Sequence, residues 1–583
     1  MRNAVAGIFV LLAVAVGPVF GQLAAPPADA QIGNFGDAVN VRLLVGLADS
    51  ADATVRARVA HDLGDTHNRL AIEHVRKLTG DKDVDVRIAA MKAMIELQPT
   101  KAKDVLTGAL QAEDRRMVYA ALRQTRRYEL RTLAGDVAAV LDHDHLPTKL
   151  AALAVLNDFR TAADAERLGG ALRSSSPALQ AAAARNAIYL ENDAPIGALT
   201  DVAKGPNRGY SGRPDPRSVS AASAAIAALG KFALEDSRDL IDSAPQSDNA
   251  QLRAGAVTAY GHAGRTAPVR KALKDKSSIV RLAAIKAAGM LGDKDAVDNL
   301  VDALAGKFDD QRAAAVDSLA KIGGREVQQA TATKLGELLQ QRQTPLRDTD
   351  RERDLWTRSV AACCRLLGRL NSSAGMDERI TLIKSLRADR PLLADVIESL
   401  PPDPPQEVIA LVSALTKKYA VEGRKTLTPR PMDAQYDEDV VKRVIDAVGH
   451  LKMVEAAEGL VDIATTRLAG ERLGSPVATA LKVLPVLIAE GNRTQILETV
   501  EKVLGDKNYR LPVIYYQAAR SAGLLKAAGA VDELNTHLTD WKLGPKVMYA
   551  SAWAIQEITG QTPEIGQPQS RQGYDWIIRK SDL

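Results

Sequence analysis

Cysteine is almost missing from this 583-residue chain, which holds two. Two thiols exclude a disulfide framework, a thiolate zinc cluster and an iron–sulfur site. They stand side by side, Cys363-Cys364, in an apolar helical run. Adjacent side chains on a helix point apart, so a bond between them would strain the backbone, and both read as small packing residues. Aromatics are scarce at 4%, so the 46% hydrophobic content is mostly Ala, Leu, Val and Ile, which suits closely spaced helices. An excess of one charge is lacking too: 76 Lys and Arg against 72 Asp and Glu leave +4. That balance argues against nucleic-acid binding by bulk charge, and so much apolar mass with so little net charge excludes disorder.

Catalytic motifs are missing as well. None of the eight histidines forms H-E-x-x-H, and there is no G-x-S-x-G, no P-loop, no G-x-G-x-x-G in a βαβ setting and no C-x-x-C-H. His143-Asp144-His145 reads as a polar turn before Pro147. No catalytic residue, metal ligand or cofactor is therefore expected, and the chain is not read as an enzyme.

What is present begins with an address. Arg2 precedes an apolar run from Ala4 to Val16, and Gly17-Pro18 ends it ahead of Val19-Phe20-Gly21. This is the layout of a secretory signal peptide over residues 1–21, too short for the roughly 20 apolar residues of a membrane span. Residues 22–38, with Pro26 and Pro27, read as a flexible leader. The expectation is a periplasmic or secreted protein that does not span a membrane once mature.

A 31-residue period organises most of the chain beyond this leader. Asp52-x-x-Val55-Arg56, Asp83-x-x-Val86-Arg87 and Asp114-x-x-Met117-Val118 keep it, and the register continues at Lys149 and Gln180. Three residues after these five positions stand Val59, Ala90, Ala121, Ala152 and Ala183; seven after stand Leu63, Met94, Thr125, Leu156 and Ala187. Positions −1, +3 and +7 make one helical face, and the small +3 residue admits a close neighbour. The pattern returns at Arg253, Arg281 and Arg312, with Ala256, Ala284 and Ala315 at +3. Gly, Asp or Pro divides each unit into two helices, a pair too small to bury its own apolar stripe. Stacking about 12 to 14 such units into an all-α solenoid solves that problem, whereas a coiled coil would not tolerate the interruptions.

The repeat resembles the HEAT family, in its phycobilisome-lyase-like subgroup, through the pattern D-x-x-V-R-x-x-A-x-x-A-x-G-x-L-G at 280–297 and 52–64. The resemblance implies that Asp52, Asp83 and Asp114 form a structural ladder between repeats with Arg56, Arg87, Arg253, Arg281 and Arg312.

The solenoid is expected over 39–384 and again over 438–559. Residues 385–437, with Pro401, Pro402, Pro404 and Pro405, read as an irregular Pro-rich hinge, and 560–583 as an aromatic tail that caps the end. A single long polar helix is expected from Gln328 through Arg353. The loop 204–217 is inserted, lengthens its unit by nine residues and offers Tyr210 and Arg213 to an acidic partner. Arg115, Arg116, Arg123, Arg126, Arg127 and Arg131 form the densest basic cluster. On a helix Arg116, Arg123 and Arg127 share a face suited to phosphate, carboxylate or an acidic protein, or else a solvated face paired with Glu113, Asp114 and Glu129. Eight of the sixteen Trp and Tyr residues lie in the last 75 positions, among them Trp541 and Trp576, as sugar-stacking or partner anchors or as a seal on the rod. The function that fits is a non-catalytic scaffold gripping an unidentified protein partner. Small-molecule handling, as in the tetrapyrrole lyase-like relatives, and envelope-polysaccharide binding are the alternatives.

Overall fold

The structure is a computed structural model and describes residues 41–563, apart from 42–43, 67, 206–214, 233–234, 342–349, 387–390, 426–433, 466–473, 508–510 and 541–542. The expected signal peptide, the leader, Tyr210, Arg213, Trp541, Trp576 and residues 564–583 of the tail lie outside the described residues. Among the described residues are 29 α-helices and no strand.

Fifteen of these helices form one continuous row. Ala53–Asp65 packs on Val84–Leu97, which packs on Arg115–Arg127, and the series runs through Leu146–Phe159, Pro177–Ala187, Pro216–Phe232, Ala250–His262, Ser278–Leu291, Asp309–Ile322, Asp350–Arg369, Pro391–Glu398, Ala434–His450, Gly474–Val483 and Pro512–Leu525 to Pro545–Thr559. The other fourteen helices, from Ile72–Leu78 to Val531–His537, form a second row behind it. The chain is thus an all-α solenoid of helix pairs.

The register explains the stacking. All eight residues at +3, Val59, Ala90, Ala121, Ala152, Ala183, Ala256, Ala284 and Ala315, have no solvent exposure. One turn further along, glycine lets backbones touch: a Cβ on Gly64 would stand 2.6 Å from the Cα of Ala93, and one on Gly289 would stand 2.4 Å from the Cβ of Ser318. No real Cβ tolerates such contacts, so the helices can lie this close only while these positions stay glycine.

The consensus polar residues hold the turns. Asp52, Asp83 and Asp114 each accept a backbone N–H in the first turn of their own helix at 2.8 Å, as N-caps. Each register arginine folds back so that Nη1 donates to the carbonyl six residues earlier: Arg56 to Ser50, Arg87 to Asp81, Arg253 to Ser247, Arg281 to Asp275 and Arg312 to Gly306, at 2.5–2.9 Å. Where arginine has lapsed, the Gln180 carboxamide donates to Ser174 in the same way at 2.9 Å. The ladder implied by the resemblance is therefore differently wired. Arg56 makes a bidentate pair with Asp81 (2.7 and 2.8 Å) and Arg253 with Asp275 (3.1 and 3.0 Å), each two residues before the next helix cap position. Among the described residues, the one register arginine that reaches a consensus aspartate of the next unit is Arg87, 3.8 Å from Asp114.

Two expectations need correction. Residues 385–437 are not irregular: Pro391–Glu398 and Gln406–Lys425 are helices that pack within the two rows, and Val396, Ile397, Val408 and Val412 are fully buried in the common core. The prolines sit between those helices, in the turn at 401–405, where they interrupt no helical hydrogen bond. At that junction Arg379, with no exposure, donates to the carbonyls of Ser372 (2.6 Å), Ala374 (3.0 Å) and Ser399 (2.8 Å), just beyond the C-termini of two helices, where carbonyl dipoles favour a cation. The polar segment expected as one helix is two, Gly324–Gln341 and Asp350–Arg369.

Both cysteines are buried without exposure, and burial pushes both thiols up. Tyr515, Tyr516, Tyr549 and Trp553 are core residues, with the Trp553 ring lying against Gly523, so these four rings offer no open stacking surface. The apolar core divides once, within Val84–Leu97: Val86, Ala90, Ala93 and Met94 pack toward the N-terminal end, and Met91 and Ile95 pack with the longer C-terminal part of the stack.

Gly64→Ala is expected to destabilise the protein by about 1–3 kcal/mol through overpacking, whereas Gly108→Ala, exposed within Ala102–Leu110 and facing open space, should stabilise it by about 0.5–1 kcal/mol. Denaturant titrations of both variants check the contrast. The Arg56 guanidinium holds the Asp81 carboxyl down at about 2. A depressed carboxylate contributes stability that is whole above its unfolded pKa and fades as pH falls toward 2. Thermal melts from pH 5 to 2 should therefore show a shallower acid loss in Asp81→Asn than in the wild type.

Candidate functional site

Helix Arg115–Arg127 is strongly two-faced because the register puts Met117, Val118, Ala121 and Leu122 inward, all buried. Outward it presents Arg115, Arg116, Tyr119, Arg123, Arg126 and Arg127, all exposed. Its contact with Val84–Leu97 joins Met91 and Ile95 to Met117 and Val118 in one apolar cluster, with polar pairs flanking it. Arg116 pairs with Asp85, Arg87 with Asp114, and the Tyr128 hydroxyl donates to Glu96. Burial and the Glu96 carboxylate push the half-buried Tyr128 phenol up to about 12.

Between Val84–Leu97, Arg115–Arg127 and the start of Leu146–Phe159 opens a groove of about 460 Å³. Its walls are Ile88, Lys92, Arg115, Arg116, Tyr119, Ala120, Arg123, Gln124, His145, Pro147 and Thr148. The His145 ring and the Thr148 hydroxyl are 2.7 Å apart at the helix start, which fixes that rim. Tyr119 is 47% exposed and supplies an open aromatic face.

The structure separates the five arginines of this helix chosen from sequence. Arg115, Arg116 and Arg123 line the groove, while Arg126 and Arg127 lie outside it. Arg116 is tied to Asp85, and Arg126 to Asp158 of the next unit at 2.5 Å. The expected partners Glu113 and Glu129 do not take those roles, because neighbouring helices bring carboxylates closer than the helix's own termini do. Among the described residues, Lys92, Arg115, Arg123 and Arg127 have no carboxylate at ion-pair distance; Arg127 lies over the Tyr128 ring at 5.5 Å. Partial burial, then Arg123 and Arg127, push the Lys92 ammonium below its ordinary value. The groove is a site of uncompensated positive charge.

Sequence reasoning missed Lys92, Tyr119 and Gln124. The signal was in the period: Lys92 and Arg123 are 31 residues apart, as are Ile88 and Tyr119, so each pair occupies one register position on adjacent helices. A second groove, of about 800 Å³ and lined by Asp298, Asp302, Glu326, Glu337, Arg325 and Lys334, is more nearly neutralised from within, since Lys334 pairs with Asp302 at 2.9 Å and Glu337 at 2.8 Å. No group of three or more His, Cys, Asp or Glu among the described residues is placed to hold a metal, and no described helix is long and apolar enough to cross a membrane.

The family model described as HEAT repeats matches residues 41–127, 238–320 and 266–355. No curated protein matches the chain. Among solved structures it is similar to importin beta, at 12% identity over 91% of this chain and 86% of that one with a TM-score of 0.31. It is also similar to the karyopherin Kap121p bound to the SUMO protease Ulp1p, at 11% identity over 90% and 62% with a TM-score of 0.40. An engineered protein aligns at 17% identity over 78% and 98%, TM-score 0.28.

Lys92→Met removes one of two like charges that share a register position while keeping a stem of similar length. It should stabilise the protein by about 0.2–0.5 kcal/mol at low salt, a gain that shrinks as ionic strength rises. Thermal melts at two salt concentrations measure it.

Proposed function

We propose that this protein is a non-catalytic, protein-binding scaffold exported from the cytoplasm, and that it grips its partner along the row of first helices with the basic groove as the central contact. We further propose that its repeats belong to the phycobilisome-lyase-like subgroup, on the strength of the D-x-x-V-R pattern and not of any shared activity. Export is supported by the charged start, apolar run and Gly-Pro stop in residues 1–21.

One observation carries the scaffold reading. Around one groove, the helices Val84–Leu97 and Arg115–Arg127 gather Lys92, Arg115 and Arg123, with Arg127 beside them, and none of the four has a carboxylate at ion-pair distance among the described residues. Cations gathered in one place without a counter-charge point to a partner that brings its own negative charge. Guanidinium groups favour bidentate contact with carboxylate or phosphate, and a row of helices provides a long rigid bed for a protein chain.

Cross-linking in the native envelope, followed by mass spectrometry, tests this reading. A discrete partner should be captured on a chain that begins at Gln22. The triple reversal Arg115→Glu, Arg123→Glu, Arg127→Glu should weaken partner binding about tenfold or more while leaving the melting temperature close to that of the wild type, since none of the three is ion-paired. Failure to capture any partner at any salt concentration would sink the scaffold reading.

A further inference from the structure

Charge alone leaves one feature of the groove unused. Gln124 is 7% exposed, lines the groove, and makes no side-chain hydrogen bond among the described residues. Its carboxamide is not sealed off: the polar atoms open into the groove, where water or a ligand can meet them. The neighbouring first-helix amides Gln180 and Asn186 are both satisfied, by Ser174 and by Asn157 and Thr161. Gln124, by contrast, has no protein partner among the described residues and turns its amide to the groove among the uncompensated cations.

A carboxamide offers two N–H donors and a carbonyl acceptor side by side. That pair is complementary to the N–H and C=O that one residue of an extended strand turns to the same side. It is a poorer match for phosphate, whose anionic oxygens would face the Gln124 carbonyl with like polarity. The apolar wall of Ile88, Tyr119 and Pro147 is likewise wasted on a small inorganic anion.

We propose, building on the scaffold reading, that this groove binds an extended acidic peptide segment of the partner, with its carboxylates on Lys92, Arg115 and Arg123, the N–H and C=O of one of its residues paired with Gln124, and one apolar side chain against Tyr119. The site answers charge, backbone and shape together: the cations supply attraction, the carboxamide reads the main chain, and the aromatic face excludes water from the contact. Carboxylates entering between Lys92 and Arg123 also relieve the mutual repulsion across the division in the core, so the occupied protein should resist unfolding better than the free one.

The test is fluorescence anisotropy of the mature full-length protein with a labelled, end-blocked peptide Glu-Glu-Leu-Glu-Glu. The expected results are binding that weakens with added salt, a loss of about tenfold or more when glutamine replaces every glutamate, and a similar loss in Arg123→Glu. Gln124→Leu separates this proposal from simple charge attraction. It removes an unpaired polar group, so its melting temperature should equal or exceed the wild type's, yet its peptide affinity should fall about three- to tenfold. Equal affinity in wild type, Arg123→Glu and Gln124→Leu overturns the proposal, as does displacement of the peptide by inorganic phosphate alike from wild type and Gln124→Leu. If the envelope partner is still captured by the Arg123→Glu and Gln124→Leu variants while the peptide fails to bind, this site assignment falls and the scaffold reading stands. Peptide binding without any captured partner has the opposite consequence: the groove keeps its ligand class and the scaffold reading falls.

Discussion

The distance of closest approach between successive first helices governs this molecule. A helix pair of some thirty residues has an apolar stripe on each member and no interior in which to hide both. It becomes stable only when the next pair is pressed against it, and the quality of that press is set by what stands at three and eight residues past the register position. At +3 the side chain is a single methyl in seven of eight units, with valine in the other, and none of the eight retains any exposure. At +8 the backbone of Gly64 and Gly289 meets the next helix with no room for a Cβ. Small residues leave little area of their own to bury, but they let the larger Leu, Val and Ile around them interlock, and dispersion falls off steeply with any gap.

Close stacking creates a polar problem that the consensus residues solve. Turns between packed helices strand backbone carbonyls and N–H groups that water reaches poorly. Aspartate at the cap position takes up first-turn N–H groups, and the arginine four residues on swings back to carbonyls five and six positions earlier. Where its remaining nitrogens meet an aspartate in the following turn, as at Asp81 and Asp275, the same side chain also fixes one unit to the next. Gln180 shows that the carbonyl contact is the essential one, since a neutral amide in the same place makes that bond without any charge. Arg379 carries the logic furthest, as a fully buried cation held by carbonyls alone.

Much of this was legible in the sequence because the period is a property of the chain rather than of its folded contacts. The spacing of 31, the small residue at +3 and the helical apolar face translate directly into the observed row. Other features were not legible, for identifiable reasons. Proline runs at 401–405 suggest an irregular hinge, but prolines in a turn disturb nothing, and the apolar spacing of Leu392, Leu393, Val396 and Ile397 is the better guide. The partners of Arg116 and Arg126 are Asp85 and Asp158, one unit away in either direction, and the helix's own residues give no sign of them. Gln124 is hidden in principle, since sequence does not reveal whether an amide finds a partner.

The groove lies where the stacking of successive first helices is sparsest, and that coincidence has a physical basis. Where two helices interlock closely, little surface is left between them for a ligand. At Val84–Leu97 the core hands over from one set of side chains to another, and the contact with Arg115–Arg127 depends on Asp85, Asp114 and Glu96. Like charges at Lys92 and Arg123 then cost the solenoid some local stability. A repeat array can sustain such a loss at one joint because each unit is held mainly by its two neighbours. The same looseness gives an incoming chain negative charge to compensate, an amide to satisfy and an aromatic face to cover, so the weakest joint in the stack is also the one with most to gain from a partner.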